Sequence, residues 1–98
     1  MKSRLQKHRT SAIRQQHGRC IYCERPMGQH ATAEHLHPRQ DGGTDCRENI
    51  AAACRRCNHR RHAEPVCASL HFLDYYTLVL IEKSAGILPR IPMGRGAT

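Results

Sequence analysis

The chain has 98 residues, a formal charge of +8 from 16 Lys/Arg against 8 Asp/Glu, and only one Phe, three Tyr and no Trp. That length allows one domain, with an apolar core too small to be secure without a metal, disulfides or a partner subunit. The sequence contains no apolar run of about 18 residues, which excludes a membrane-spanning helix. Its basic start from Met1 to Arg19 lacks a signal-peptide core, so a cytoplasmic chain with reduced thiols is expected.

The charge is uneven along the sequence. Up to Arg61 there are 13 Lys/Arg against 5 Asp/Glu, and from His62 onward 3 of each, so the front two-thirds presents a basic surface. Such a field attracts phosphate backbones. It favours a nucleic-acid partner over the plainer reading of a soluble basic protein.

Residues 3–17 are predicted to form a helix, with Ser3 and Gln6 as a capping box and Gly18 as the stop. Its surface carries Lys2, Arg4, Lys7, Arg9 and Arg14, with Leu5, Ala12 and Ile13 alone to bury. Weak packing is therefore expected, as a phosphate-contacting arm or a frayed terminus. Cys20-Ile21-Tyr22-Cys23 forms a knuckle. Residues 31–37 read as a short strand, the Asp41-Gly42-Gly43-Thr44-Asp45 stretch as a loop, and Glu48–Ala53 as a second strand. Cys54-Arg55-Arg56-Cys57 is a second knuckle, followed by a short helix from Asn58 to about Ala63 that Pro65 breaks. Residues 68–84 carry the strongest helical pattern. Its many apolar residues need cover, either by packing over the knuckles or by a dimer contact. The Gly- and Pro-rich stretch 86–98 is expected to be flexible.

The six cysteines divide into two pairs and two singles. Cys20, Cys23, Cys54 and Cys57 supply four soft ligands, and Zn²⁺ accepts a tetrahedral set of thiolates. Two CxxC pairs in a reduced chain read as one structural zinc site, closing the intervening 30 residues into a loop. Metal binding and folding are then coupled. Cys46 and Cys67 read as free thiols.

The insert between the knuckles is longer than the roughly 15–20 residues of a plain zinc ribbon. It carries Glu34-His35, Pro38, Gly42-Gly43 and Glu48-Asn49-Ile50. Asn58 follows the second knuckle, with His62 four positions on. CIYC followed by AEHLHPRQDGGTDCRENIAAACRRCNHRRH resembles the HNH endonuclease family of the ββα-metal fold, over roughly residues 20–62. The resemblance implies a small α+β fold: a ββα-metal finger, made of a short two-stranded hairpin plus a helix, with a four-cysteine zinc site. A basic N-terminal helix and an apolar C-terminal helix would flank it. The expected organisation is 1–19 as a basic arm, 20–64 as the nuclease core, 65–85 as a packing helix and 86–98 as a flexible tail.

The resemblance also implies roles for single residues. His35 is the general base that takes a proton from water, a task imidazole suits at neutral pH. Asn49 fixes the loop between the strands, and with it His35. Glu34 and Asn58 hold a catalytic divalent ion, with His62 on the same helical face as a third ligand or a phosphate contact. Oxygen ligands suit Mg²⁺ or Mn²⁺, and an imidazole admits Zn²⁺, Ni²⁺ or Co²⁺. Many family members have Asp where this chain has Glu34, the same charge on a longer arm. Arg55, Arg56, Arg60 and Arg61 are placed to hold phosphates. His37, alternating with His35, reads as a substrate contact or as a structural residue before Pro38. His8, His17, His30, His59 and His71 read as surface residues.

The function expected on this resemblance is metal-dependent hydrolysis of DNA phosphodiester bonds, leaving a 5′-phosphate and a 3′-hydroxyl. Contacts to DNA would be largely non-specific, by a monomer or by a homodimer through residues 68–84. The alternative is a non-catalytic, zinc-stabilised DNA-binding module. It accounts for the charge and the cysteines but gives no reason for the spacing of Glu34-His35 and Asn58.

Overall fold

The computed structural model describes residues 2–87, and positions 88–98 of the tail predicted over 86–98 lie outside the described residues. Helix α1 covers Arg4–Gln15, strand β1 Ala31–His35, strand β2 Ile50–Cys54, helix α2 Arg55–Ala63, the single turn α3 Pro65–Ala68, and helix α4 Phe72–Ser84. Short 3-10 turns at Arg39–Asp41 and Arg47–Asn49 lie in the connection between the strands.

The strands form an antiparallel hairpin, with His35 opposite Ile50, Ala33 opposite Ala52 and Ala31 opposite Cys54. Every residue of β2 is buried, which its Ile-Ala-Ala-Ala-Cys sequence permits, since small side chains let helices approach closely. Helix α1 packs on β2 and, less extensively, on β1. Ala12 belongs to the same core cluster as Ala52 and Ala53.

The capping box at the start of α1 is formed: Ser3 Oγ accepts from the Gln6 amide at 3.1 Å and Gln6 Oε1 from the Ser3 amide at 2.9 Å. The expectation of a weakly packed helix is corrected by a residue that hydrophobicity does not register. The Gln16 side chain accepts from the Ala52 N–H at 2.9 Å and donates to the Ala52 C=O at 2.8 Å. It thereby occupies the outer edge of β2, whose backbone groups need partners once buried.

The other element boundaries shift for local reasons. The second strand runs Ile50–Cys54 because residues 47–49 wind into a 3-10 turn. The following helix starts at Arg55 and takes the second knuckle into its first turn, where the Cys57 amide donates to Cys54 Sγ at 3.4 Å. The C-terminal helix starts at Phe72, where the extended His71 caps it by accepting from the Leu73 amide at 3.2 Å. His71 is thus an exposed residue, as expected, that also serves as a cap.

Helix α4 covers the cysteine knuckles. Tyr75 and Val79 are fully buried. The Tyr75 ring meets the Tyr22 ring edge-on at 4.8 Å, and its hydroxyl donates to the Cys57 carbonyl at 3.2 Å. Arg60 grips Glu82 through two bonds of 2.7 Å, which holds the Glu82 carboxyl below the usual carboxylate range. Leu73, Leu80 and Ile81 remain exposed on the outer side.

The loop between the strands is set by backbone crowding at Gly43. A Cβ there would lie 1.7 Å from the His37 carbonyl oxygen, while the Gly43 amide donates to the Pro38 carbonyl at 2.8 Å. Gly43→Ala is expected to force this loop open and to destabilise the protein by about 3 kcal/mol. Urea denaturation of the variant checks this, and an unchanged midpoint would refute the account.

Candidate active site

The four knuckle cysteines are buried, and their sulfurs all lie within 4.8 Å of one another. Among the described residues this is the one such group of His, Cys and carboxylate ligands. Backbone amides already point at two of the sulfurs: Tyr22 N–H to Cys20 at 3.3 Å and Cys57 N–H to Cys54 at 3.4 Å. The thiols compete for protons in this space. Hydrogen bonding from Cys23 lowers Cys20 far below the thiol range, while bonding to Cys20 pushes Cys54 and Cys57 far above it. A dication removes that conflict by letting all four be thiolates, so the donor set fits tetrahedral zinc.

The knuckle leads directly to the hairpin. The Tyr22 hydroxyl donates to Glu34 Oε2 at 2.5 Å. Burial and the Glu34 carboxylate push this hydroxyl far above the phenol range, which keeps it a donor. Glu34 is 1 % exposed and forms a buried ion pair with Arg61, itself 2 % exposed. Arg61 also donates to the Tyr22 hydroxyl at 3.0 Å, the His35 carbonyl at 3.1 Å and the Leu36 carbonyl at 2.9 Å. The remaining Glu34 oxygen, Oε1, lies 2.9 Å from His62 Nε2.

Glu34, His35, Asn58 and His62 share an open cleft of about 360 Å³, together with Ala33, Pro38, Arg39 and Gln40. Asn58 is held by its amide nitrogen, which donates to Thr32 Oγ1 at 2.8 Å and to the Ala33 carbonyl at 3.3 Å. Its amide oxygen makes no bond to any described residue and is left as a ligand atom. Glu34, His62 and Asn58 thus bring to one cleft oxygen and nitrogen donors of the kind that could hold a small divalent cation.

His35 stands at the end of β1, and its Nε2 lies 2.8 Å from Asp45 Oδ1. Arg39 clamps the same carboxylate, with Nη2 at 2.8 and 2.9 Å from its two oxygens. Hydrogen bonding to His35 and then to Arg39 holds the Asp45 carboxyl below its usual range. Asn49 ties the loop at three points: it accepts from the His37 amide at 2.8 Å and donates to the carbonyls of His37 at 2.9 Å and Thr44 at 2.8 Å.

The expected phosphate contacts divide. Arg55 is exposed and lines a shallow depression with Thr32, Asn58, His59 and His62, beside the cleft. Arg61 is turned inward and spent on Glu34, which corrects its expected role as a phosphate contact. Arg60 is corrected likewise, since Glu82 neutralises it. Arg56 lines a roomier cavity of about 560 Å³ with Cys23, Cys54 and Cys57, which contains none of the cleft residues. His37 lies beyond the end of β1, so strand alternation does not reach it. Its ring nitrogen instead donates to the Asp41 carbonyl at 2.7 Å, a bond within the loop.

Asp45, Tyr22 and Arg39 are the site residues that sequence reasoning missed. Tyr22 sits inside a knuckle, where the spacer residues carry no pattern. Asp45 and Arg39 lie in a loop that reads only as a turn. The one available signal for Asp45 was a carboxylate in a short loop leaving the strand that bears His35.

Residues 20–64 match the family model described as HNH endonuclease. The chain is also similar to the CRISPR-associated endonuclease Cas9 of Corynebacterium diphtheriae, at 34 % identity over 65 residues. That match covers 64 % of this chain and 6 % of the relative. The chain therefore corresponds to a small part of that protein's length.

Proposed function

We propose that this chain, whose residues 20–64 belong to the HNH endonuclease family, is a metal-dependent endonuclease that hydrolyses DNA phosphodiester bonds. The observation that carries the reading is the cleft. It joins a histidine base to an acid, an amide oxygen and a second imidazole, beside the exposed Arg55. A binding module needs the basic surface alone, and it has no use for His35 held by one ring nitrogen with the other left bare.

Each residue then has a task. Arg55 and the basic surface bring a phosphate backbone to the cleft. His35 Nδ1 accepts the proton of a water as that water attacks phosphorus and the 3′-oxygen leaves. Asn49 holds the loop that fixes the approach to His35. Glu34, Asn58 and His62 would hold a divalent ion, Mg²⁺ or Mn²⁺ or one of the softer Zn²⁺, Ni²⁺ and Co²⁺. When bound, such an ion supplies neutralisation of the charge developing on the phosphate and the leaving oxygen. The zinc proposed at Cys20, Cys23, Cys54 and Cys57 has a structural role.

Plasmid nicking tests the reading. Zinc-loaded protein with added Mg²⁺ or Mn²⁺ is expected to nick supercoiled DNA, and His35→Ala to lose at least about 10²-fold in rate with DNA affinity retained. If the wild type binds DNA but cuts no faster than His35→Ala in either metal, the non-catalytic reading replaces this one.

A further inference from the structure

We propose that Asp45 is the positioning residue for His35, holding its Nε2–H so that Nδ1 faces the reaction as the proton acceptor. The inference rests on the nuclease reading above and extends it to a residue to which that reading gives no role.

The geometry carries it in three steps. The 2.8 Å contact between His35 Nε2 and Asp45 Oδ1 needs a proton between the two atoms, because two bare acceptors at that distance repel. Asp45 does not hold that proton. Arg39 places donors on both of its oxygens, and the carboxyl is held below its usual range. Arg39 Nε lies 3.2 Å from both His35 Nε2 and Asp45 Oδ1 and is placed to donate to either; we assign its N–H to the charged oxygen, the stronger acceptor. The proton between ring and carboxylate therefore sits on Nε2, so that whenever the ring is neutral its lone pair is on Nδ1. Nδ1 makes no hydrogen bond to any described residue.

The carboxylate is itself anchored at its root. Asn49 Nδ2 donates to the carbonyl of Thr44, the residue before Asp45, at 2.8 Å. Gly43, two residues before Asp45, is pressed against the His37 carbonyl. The loop motif thus has a second consequence. It presents an acid to the base across the loop, as the aspartate of a Ser-His-Asp triad orients its imidazole.

Asp45 is about one-third exposed and outside the buried core, so its variants should fold. Asp45→Ala is expected to lower kcat by about 10²-fold, the scale of a base displaced by about an ångström. KM should stay within about threefold. Asp45→Asn keeps an acceptor and should recover part of the loss, about tenfold, while the melting temperature stays within a few degrees in both. Nitrogen-15 NMR of the imidazole rings supplies a readout that needs no activity. In the wild type His35 should show a protonated Nε2 and a bare Nδ1, and Asp45→Ala should mix the two forms.

A wild-type ring protonated on Nδ1, or an Asp45→Ala kcat within threefold of wild type, overturns the proposal. A kcat loss that tracks a falling melting temperature overturns it as well, by making Asp45 merely structural. If the wild type does not cut DNA at all, the nuclease reading fails, and the ring spectrum still decides whether Asp45 sets the tautomer of His35.

Discussion

Stripping the metal from the zinc-loaded protein with a chelator is expected to abolish its cooperative fold, not only its activity. The reason lies in what fills the core. Of the fourteen buried apolar residues among those described, nine are Ala or Cys, and four of those nine are the knuckle cysteines themselves. Small side chains bury little area, and each buried CH₂ contributes only about 0.8 kcal/mol. A structural zinc ion contributes roughly 10 kcal/mol or more of apparent binding free energy, comparable to the whole stability of an ordinary domain at about 5–15 kcal/mol. Without the ion, nothing of similar size closes the insert, orders Tyr22 or seats α4 through Tyr75. Far-UV circular dichroism during chelation and zinc add-back would follow this. Replacing any one ligand, for example Cys57→Ser, should resemble chelation. A metal-free protein that still melts cooperatively near the zinc-loaded temperature would show that the core suffices alone.

The sequence announced this arrangement unevenly, and the division has a physical basis. Features carried by local chemistry at fixed spacing were legible: the two knuckles, the capping box of Ser3 and Gln6, and the Gly-Gly loop; Asn49 was legible only through the family resemblance. Tertiary partnerships were not. Nothing local says that Gln16 will close the edge of β2, because a glutamine in a basic helix looks like solvated surface. Arg60 and Arg61 read as two more cations in a basic run, yet the helix turns one toward Glu82 and the other toward Glu34. Charge counting cannot separate a solvated arginine from one that neutralises a buried acid. The same blindness hid Asp45, whose meaning comes from where the loop returns it. It also hid the boundary of α2, which the knuckle starts earlier because Cys54 caps it with sulfur.

Removing Arg61 is expected to be the most damaging single change outside the zinc ligands. Arg61→Met leaves the Glu34 carboxylate buried at 1 % exposure with its cation gone, and the carbonyls of His35 and Leu36 without a donor. Breaking a buried pair from one side costs about 3–5 kcal/mol, because the other charge is left uncompensated. Glu34→Gln strands Arg61 and should cost a similar amount. The double variant Glu34→Gln/Arg61→Met removes both charges together and should lose less than the sum of the singles, by about 1–3 kcal/mol. Recovery will be partial, since the two carbonyls stay unpaired and each such loss costs about 1–3 kcal/mol. Urea midpoints of the four zinc-loaded proteins measure the coupling. Additivity within about 0.5 kcal/mol would mean that the pair contributes little, and that Glu34 is free to serve as a metal ligand without cost to the fold. Strong coupling means the opposite. Arg61 and His62 then hold Glu34 in place through its two oxygens, and the divalent ion proposed above would meet a carboxylate already oriented. The longer arm of glutamate is useful in that role, because it reaches Arg61 and Tyr22 with one oxygen while the other faces the cleft.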